Sequence, residues 1–284
     1  MTRGLRLQQA GAIRICIRDA GDGPAVVLLH GTTANLGVWD AVVEILGTDV
    51  RTIAVDQRGH GRSDKPSSGY GMNEYTHDLV ELVEALDCGP VVVVGHSLGA
   101  RNAVVLGARR PDLVAGVVAV DYTPFVEPEV LDDLQARVAG GDRHFATRTE
   151  LMEYLRDRYT LIADDAVRRR ADYGYVADER GLRPLAAPGA MEQTVDGLRT
   201  DFLEEARTIG VPVTLIRGQL SRIVSDQAFA RTRTLRPDFH ALELPGVDHY
   251  VPEERPDVVA EAVAQMLART PASRTSRPVP TSQS

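Results

Sequence analysis

A serine hydroxyl becomes a nucleophile only when a base can take its proton and donors can hold the negative charge its attack creates. Ser97 is placed for that chemistry. It stands in Gly95-His96-Ser97-Leu98-Gly99, with a glycine two residues away on either side, the spacing a cramped turn needs because a Cβ there would meet neighbouring backbone. Val91 to Val94 are four consecutive valines and read as a strand buried on both faces, while the residues after Ser97 read as a helix. The turn between them would lift the hydroxyl off the end of a sheet, beside the free N–H groups of a helix N-terminus. An oxyanion can be made and stabilised there.

With its strand before and helix after, this pentapeptide resembles the nucleophile elbow of the α/β-hydrolase family. Three other stretches carry the resemblance: His30-Gly31-Thr32-Thr33 after the apolar run Ala25 to Leu29, the octapeptide from Asp56 to Ser63 that matches a D-x-R-G-x-G-x-S loop, and Gly246-Val247-Asp248-His249 late in the chain. The resemblance implies a mostly parallel central sheet with helices on both faces, an inserted helical cap, and a serine hydrolase that opens an ester, lactone or related acyl bond through an acyl-enzyme. It also implies roles: the backbone amides of Thr32 and Leu98 as the oxyanion hole and His249 as the base. Arg58 is expected to make a buried structural contact, and His60 has no catalytic assignment.

The acid departs from the family's commonest pattern, which is R-G-x-x-S-D. This chain reads Arg217-Gly218-Gln219-Leu220-Ser221-Arg222, and a guanidinium cannot accept a hydrogen bond from an imidazole. Asp121 is the preferred replacement. It ends the strand Val114 to Val120 that follows the elbow helix, a position from which some members of the family supply their acid. Asp226 and then Asp248 are the alternatives. The same residues would serve a C–C bond hydrolase of a diketone-like substrate or a perhydrolase, and Arg222 motivates a third reading, a non-catalytic ligand-binding protein descended from a hydrolase.

Positioning such a site requires strands and helices in alternation. Leu5 to Gln9 and Ile13 to Arg18 read as an antiparallel sheet edge, and Asn35 as the cap of a helix through Leu46 carrying the sole tryptophan, Trp39. Arg51 to Val55, Val211 to Arg217 and Phe239 to Leu244 read as strands. Asn73 to Leu86, Ser225 to Leu235 and a final stretch with Val258, Ala262 and Met266 on one face read as helices. Between these, the strand pattern vanishes. Leu131, Leu134 and Val138 share one helical face and Leu151, Tyr154 and Leu155 another, so residues 122–207 are expected to form an all-helical cap between core segments 1–121 and 208–268. Arg168-Arg169-Arg170 reads as a solvated helix face. Residues 269–284, rich in Pro and Ser, read as a disordered tail.

Composition sets the remaining bounds. The chain has 284 residues, 43% of them hydrophobic and 25% charged, enough to bury a full core without disulfide or metal. Net charge is -8, and about -11 once the arginine-bearing last sixteen residues are set aside, which argues against nucleic acid or an anionic membrane as partner. Cys16 and Cys88 show no C-x-x-C spacing, and no run reaches the length of a signal peptide or membrane span. The expectation is a bacterial, cytoplasmic enzyme acting on a small-molecule substrate with no cofactor and no metal, a homodimer being left open.

Overall fold

A computed structural model describes residues 4–269. The strands are β1 (Leu5–Ala10), β2 (Ile13–Ala20), β3 (Ala25–Leu29), β4 (Arg51–Asp56), β5 (Val91–His96), β6 (Val114–Val120), β7 (Tyr175–Asp178), β8 (Gly181–Pro184), β9 (Val213–Gly218) and β10 (His240–Leu244). Eight of them form one sheet in the order β1-β2-β4-β3-β5-β6-β9-β10. The pairs β1–β2 and β2–β4 are antiparallel, and every pairing from β4 onward is parallel. Every residue of β3 and β5 is buried, as a parallel sheet covered on both faces demands. The alternating Ile13, Ile15 and Ile17 of β2 turn inward.

The helices are α1 (Asp40–Leu46), α2 (Met72–Leu86), α3 (Leu98–Arg109), α4 (Pro128–Ala139), α5 (Arg148–Arg158), α6 (Asp164–Gly174), α7 (Pro188–Leu198), α8 (Leu203–Thr208), α9 (Asp226–Leu235), α10 (Val251–Glu254) and α11 (Pro256–Arg269). One face of the sheet packs against α2, α3 and α9 through Leu79, Leu82, Ala103 and Phe229. The other packs against α1 and α11 through Val42, Val259 and Val263. Asn35 caps as expected, its Oδ1 accepting from the Gly37 amide at 2.9 Å, but the first turn after it is a tighter 3₁₀ turn, Leu36–Trp39, before α1 begins. Trp39 lies wholly within the core. Arg58 forms the expected buried contact, a two-pronged ion pair with Asp78 at 2.5 and 2.7 Å.

Residues 122–207 carry α4 to α8, as their helical periodicity requires, and also the antiparallel ribbon β7–β8. The all-helical expectation is therefore corrected. Each ribbon strand is four residues long, Tyr175-Val176-Ala177-Asp178 and Gly181-Leu182-Arg183-Pro184, so no alternation stands out in the sequence. Leu182 reaches a small separate core with Phe145, Leu151, Leu155 and Val167. The expected tail lies, beyond Arg269, outside the described residues. Among those residues no helix is long and apolar enough to cross a membrane.

Because β3, β5, β6, β9 and β10 run parallel, the loops that follow them open on one edge of the sheet. That edge is where an open α/β sheet places its chemistry.

Candidate active site

Ser97 links β5 to α3 at φ 54° and ψ -117°, a left-handed backbone that a serine adopts only under constraint. The constraint is close packing. A Cβ on Gly95 would stand 2.0 Å from the Gly99 carbonyl oxygen, and one on Gly99 would stand 2.1 Å from that of Leu29. The Ser97 amide is tied to the Val120 carbonyl of β6 at 2.8 Å. Among the described residues, four non-glycine residues have positive φ: Thr33, Asp87, Ser97 and Asp121. Three of them stand at this one sheet edge. Each conformation costs of order 1–3 kcal/mol, and such strain gathers where surrounding structure holds functional groups in place.

His249 follows β10 on the loop before α10, and its Nδ1 lies 2.6 Å from Asp121 Oδ2. Asp121 is fully buried. Its Oδ1 accepts from the Gly218 amide at 2.9 Å and its Oδ2 from the Ser221 hydroxyl at 2.5 Å. Ser221 in turn accepts from the amides of Ile223 and Val224. The loop that lacks the usual acid therefore cradles an acid sent from β6. Arg222 faces solvent. Asp226 is 92% exposed and paired with Arg217 at 2.6 Å. Asp248 accepts from the backbone amide of His249, not from its ring.

Burial carries the Asp121 carboxyl up to about 7, against the downward pull of Ser221, the Gly218 amide and the charge of Arg217. Burial takes His249 down to about 3; Arg137 and Arg170 push the same way, while Asp248 opposes them. The ring is neutral at neutral pH and free to accept a proton. Ser97 and His249 line one cavity of about 510 Å³. The Ser97 hydroxyl has no protein partner among the described residues, a looseness common in catalytic hydrogen bonds before substrate aligns them. Nor does any protein acceptor among those residues take the amides of Thr32 or Leu98, and both Thr32 and Ser97 line the cavity.

The opposite wall was not foreseen. Arg137 from α4, Arg158 from α5 and Arg170 from α6 line the same cavity and also an adjoining one of about 640 Å³. The solvated reading of Arg168-Arg169-Arg170 is corrected: Arg168 is exposed, Arg169 half-buried and Arg170 buried. Arg170 Nε lies 2.9 and 3.1 Å from the two carboxylate oxygens of Glu253, and its guanidinium sits 3.9 Å over the Tyr159 ring. Ala166, Val167, Arg170 and Ala171 form one buried helical face, and that spacing was the signal available. Arg137 donates to the Tyr250 hydroxyl at 2.8 Å and Arg158 to that of Tyr154 at 3.1 Å. Among the described residues neither is paired with a carboxylate. No group of three or more His, Cys, Asp or Glu side chains gathered as metal ligands occurs among them either.

Comparison with known proteins agrees with this architecture. The model of the Alpha/beta hydrolase family matches residues 26–262. A 2-(acetamidomethylene)succinate hydrolase of Mesorhizobium japonicum is 45% identical over 257 residues, covering 90% of this chain and 92% of the relative. A crystal structure of E-2-(acetamidomethylene)succinate hydrolase superposes with a TM-score of 0.91 at 44% identity, covering 93% of this chain and 98% of that one. An esterase of Mycobacterium tuberculosis is 31% identical over 273 residues, 91% of this chain and 87% of its own length. On the family match across most of its length and on these relatives, the chain belongs to the α/β-hydrolase family and is a hydrolase.

Proposed function

We propose that this hydrolase cleaves the acyl bond of a small dicarboxylate, with 2-(acetamidomethylene)succinate as the substrate that fits the site best. The observation that carries the reading is the pair of unpaired guanidinium groups, Arg137 and Arg158, in the wall of the cavity that holds Ser97 and the Asp121–His249 pair. Arg158 is half-buried and Arg137 exposed, and guanidinium groups so placed take carboxylates through charge-assisted hydrogen bonds of up to about 1.5–3 kcal/mol each. The name of the relative describes such a molecule: a succinate, with two carboxylates, bearing an N-acetyl enamine.

In this reading the carboxylates face Arg137 and Arg158, and Tyr159 packs beside them. Ser97 Oγ attacks the acetyl carbonyl as His249 Nε2 takes its proton. The Thr32 and Leu98 amides hold the oxyanion, each donor contributing about 3 kcal/mol. Asp121 accepts from Nδ1–H and so fixes the tautomer that leaves Nε2 free to act. As the C–N bond breaks, the same proton passes to the departing nitrogen. Water then attacks the acetyl-enzyme, His249 returning a proton to Ser97, so that acetate and an aminomethylene succinate leave. Residues 122–207 act as the cap that brings the arginines over this chemistry.

The test compares kcat/KM for 2-(acetamidomethylene)succinate, its dimethyl ester, nitrophenyl acetate and a vinylogous diketone. The diacid should exceed the diester by about two orders of magnitude or more, from two carboxylate contacts at the energies above. Equal values for diacid and diester sink the dicarboxylate reading, and preferential turnover of the diketone moves the chemistry to C–C cleavage.

A further inference from the structure

We propose that His96, the residue before the nucleophile, is a positioning residue: its Nε2–H holds the backbone carbonyl of His249 and so sets where that imidazole stands relative to Ser97. The proposal rests on the roles given above to Ser97 and His249. His96 Nε2 lies 2.8 Å from the His249 carbonyl oxygen. A carbonyl only accepts, so Nε2 must carry the proton and Nδ1 the lone pair.

The ring is 4% exposed, and its centroid lies 4.6 Å from that of His249 at an interplanar angle of 44°. On its other side Nδ1 faces the turn after β3, where a Cβ on Gly31 would stand 3.1 Å from Nδ1 and 3.1 Å from Ser97 Cβ. One buried ring therefore touches the oxyanion turn, is bonded in sequence to the nucleophile, and ties down the backbone of the base. Asp121 governs the rotation of the His249 ring through Nδ1, but a bond to the ring does not decide where the loop carries it. The neighbouring anchors are the Leu220 amide on the Val247 carbonyl at 2.8 Å and the Asp248 amide on Glu254 at 3.0 Å. Among the described residues, only the His96 bond reaches His249's own carbonyl from the side of Ser97. Burial lowers the His96 pKa to about 3, so the clamp stays neutral beside a ring that becomes positive during turnover.

The test uses the full chain, with His96→Leu to remove the donor and His96→Gln to keep one. Two readouts are taken: the rate of Ser97 labelling by a fluorophosphonate, and kcat and KM for nitrophenyl acetate. In His96→Leu, labelling and kcat should fall about ten- to hundred-fold with KM within about twofold, the cost of a misplacement on the order of an ångström. His96→Gln should recover most of that loss. Unchanged rates in His96→Leu overturn the proposal, and so does an equal loss in both variants, which would mean that ring shape matters and the donor does not. A wild type that never labels sinks the Ser97 assignment and this proposal with it. Should His96→Leu fail to fold, nitrogen NMR of the wild type decides: a His96 ring protonated at Nε2 supports the clamp, and one protonated at Nδ1 overturns it.

Discussion

The two walls of the cavity that Ser97 and His249 line are built by opposite means. The sheet-edge wall holds its groups through strained backbone: Ser97 and Asp121, each just after a strand, both sit at φ 54°, and Thr33, in the turn that follows β3, sits at φ 62°. The wall from residues 122–207 places long cationic side chains on ordinary helices: Arg170 is steadied by Glu253 and the Tyr159 ring, and Arg137 and Arg158 donate to tyrosine hydroxyls. Strained backbone gives precision to atoms that must react. Arginines on helices give that cavity charge and reach. The Arg170–Glu253 pair joins the two, because Glu253 lies on α10, four residues after His249.

That contrast can be broken first at the sheet edge. Ser97→Ala should lower kcat by about four to six orders of magnitude and Asp121→Asn by about four, with far-ultraviolet dichroism unchanged. If Asp226→Asn, at a 92% exposed side chain, lost as much and Asp121→Asn stayed active, the acid would have to be reassigned. Next comes the joint between the walls. Arg170→Met strands Glu253, whose side chain is 2% exposed, and should cost about 3–5 kcal/mol in urea unfolding; adding Glu253→Leu should restore most of it, since an apolar pair of similar volume avoids burying a lone charge.

Arg137→Leu and Arg158→Leu sharpen the comparison from the binding side. Each should raise KM for the dicarboxylate about ten- to hundred-fold, the equivalent of one charge-assisted contact, while nitrophenyl acetate turnover stays within about twofold. A loss shared equally by both substrates would place these arginines in catalysis and erase the division of labour. The smallest effect is on pH dependence. Arg137 disfavours the positive form of His249, so its removal lets the imidazolium form more readily. The acid limb of kcat/KM, which reports protonation of the base, should then move to higher pH in Arg137→Leu. A downward shift would contradict that electrostatic coupling.

Legibility followed the same division. Ser97, the strand before it and the helix after it could be read from valines and two glycines, because an elbow requires a local pattern. His249 and the Thr32 and Leu98 amides followed from motifs that each lie on one short loop. Asp121 is legible because a strand end is visible in sequence, although the residues that hold its carboxylate, Gly218 and Ser221, stand in a motif that lacks its usual acid. Apart from the apolar spacing around Arg170, nothing local marks the cavity's cationic wall. Arg137, Arg158 and Arg170 lie on three helices and look in sequence like any solvated charge, and the β7–β8 ribbon is too short to announce itself.

The sequence by itself determined the order of strands and helices and the chemistry at each strand end, since hydrophobic period and turn geometry act over a few neighbouring residues. Only the tertiary structure decided which acid meets His249, which arginines share a cavity with Ser97 and which one is neutralised. Those outcomes depend on side chains brought together across 83 to 128 positions of chain, Arg170 with Glu253 and Asp121 with His249, and no local pattern records which of several exposed-looking charges the folded helices turn inward.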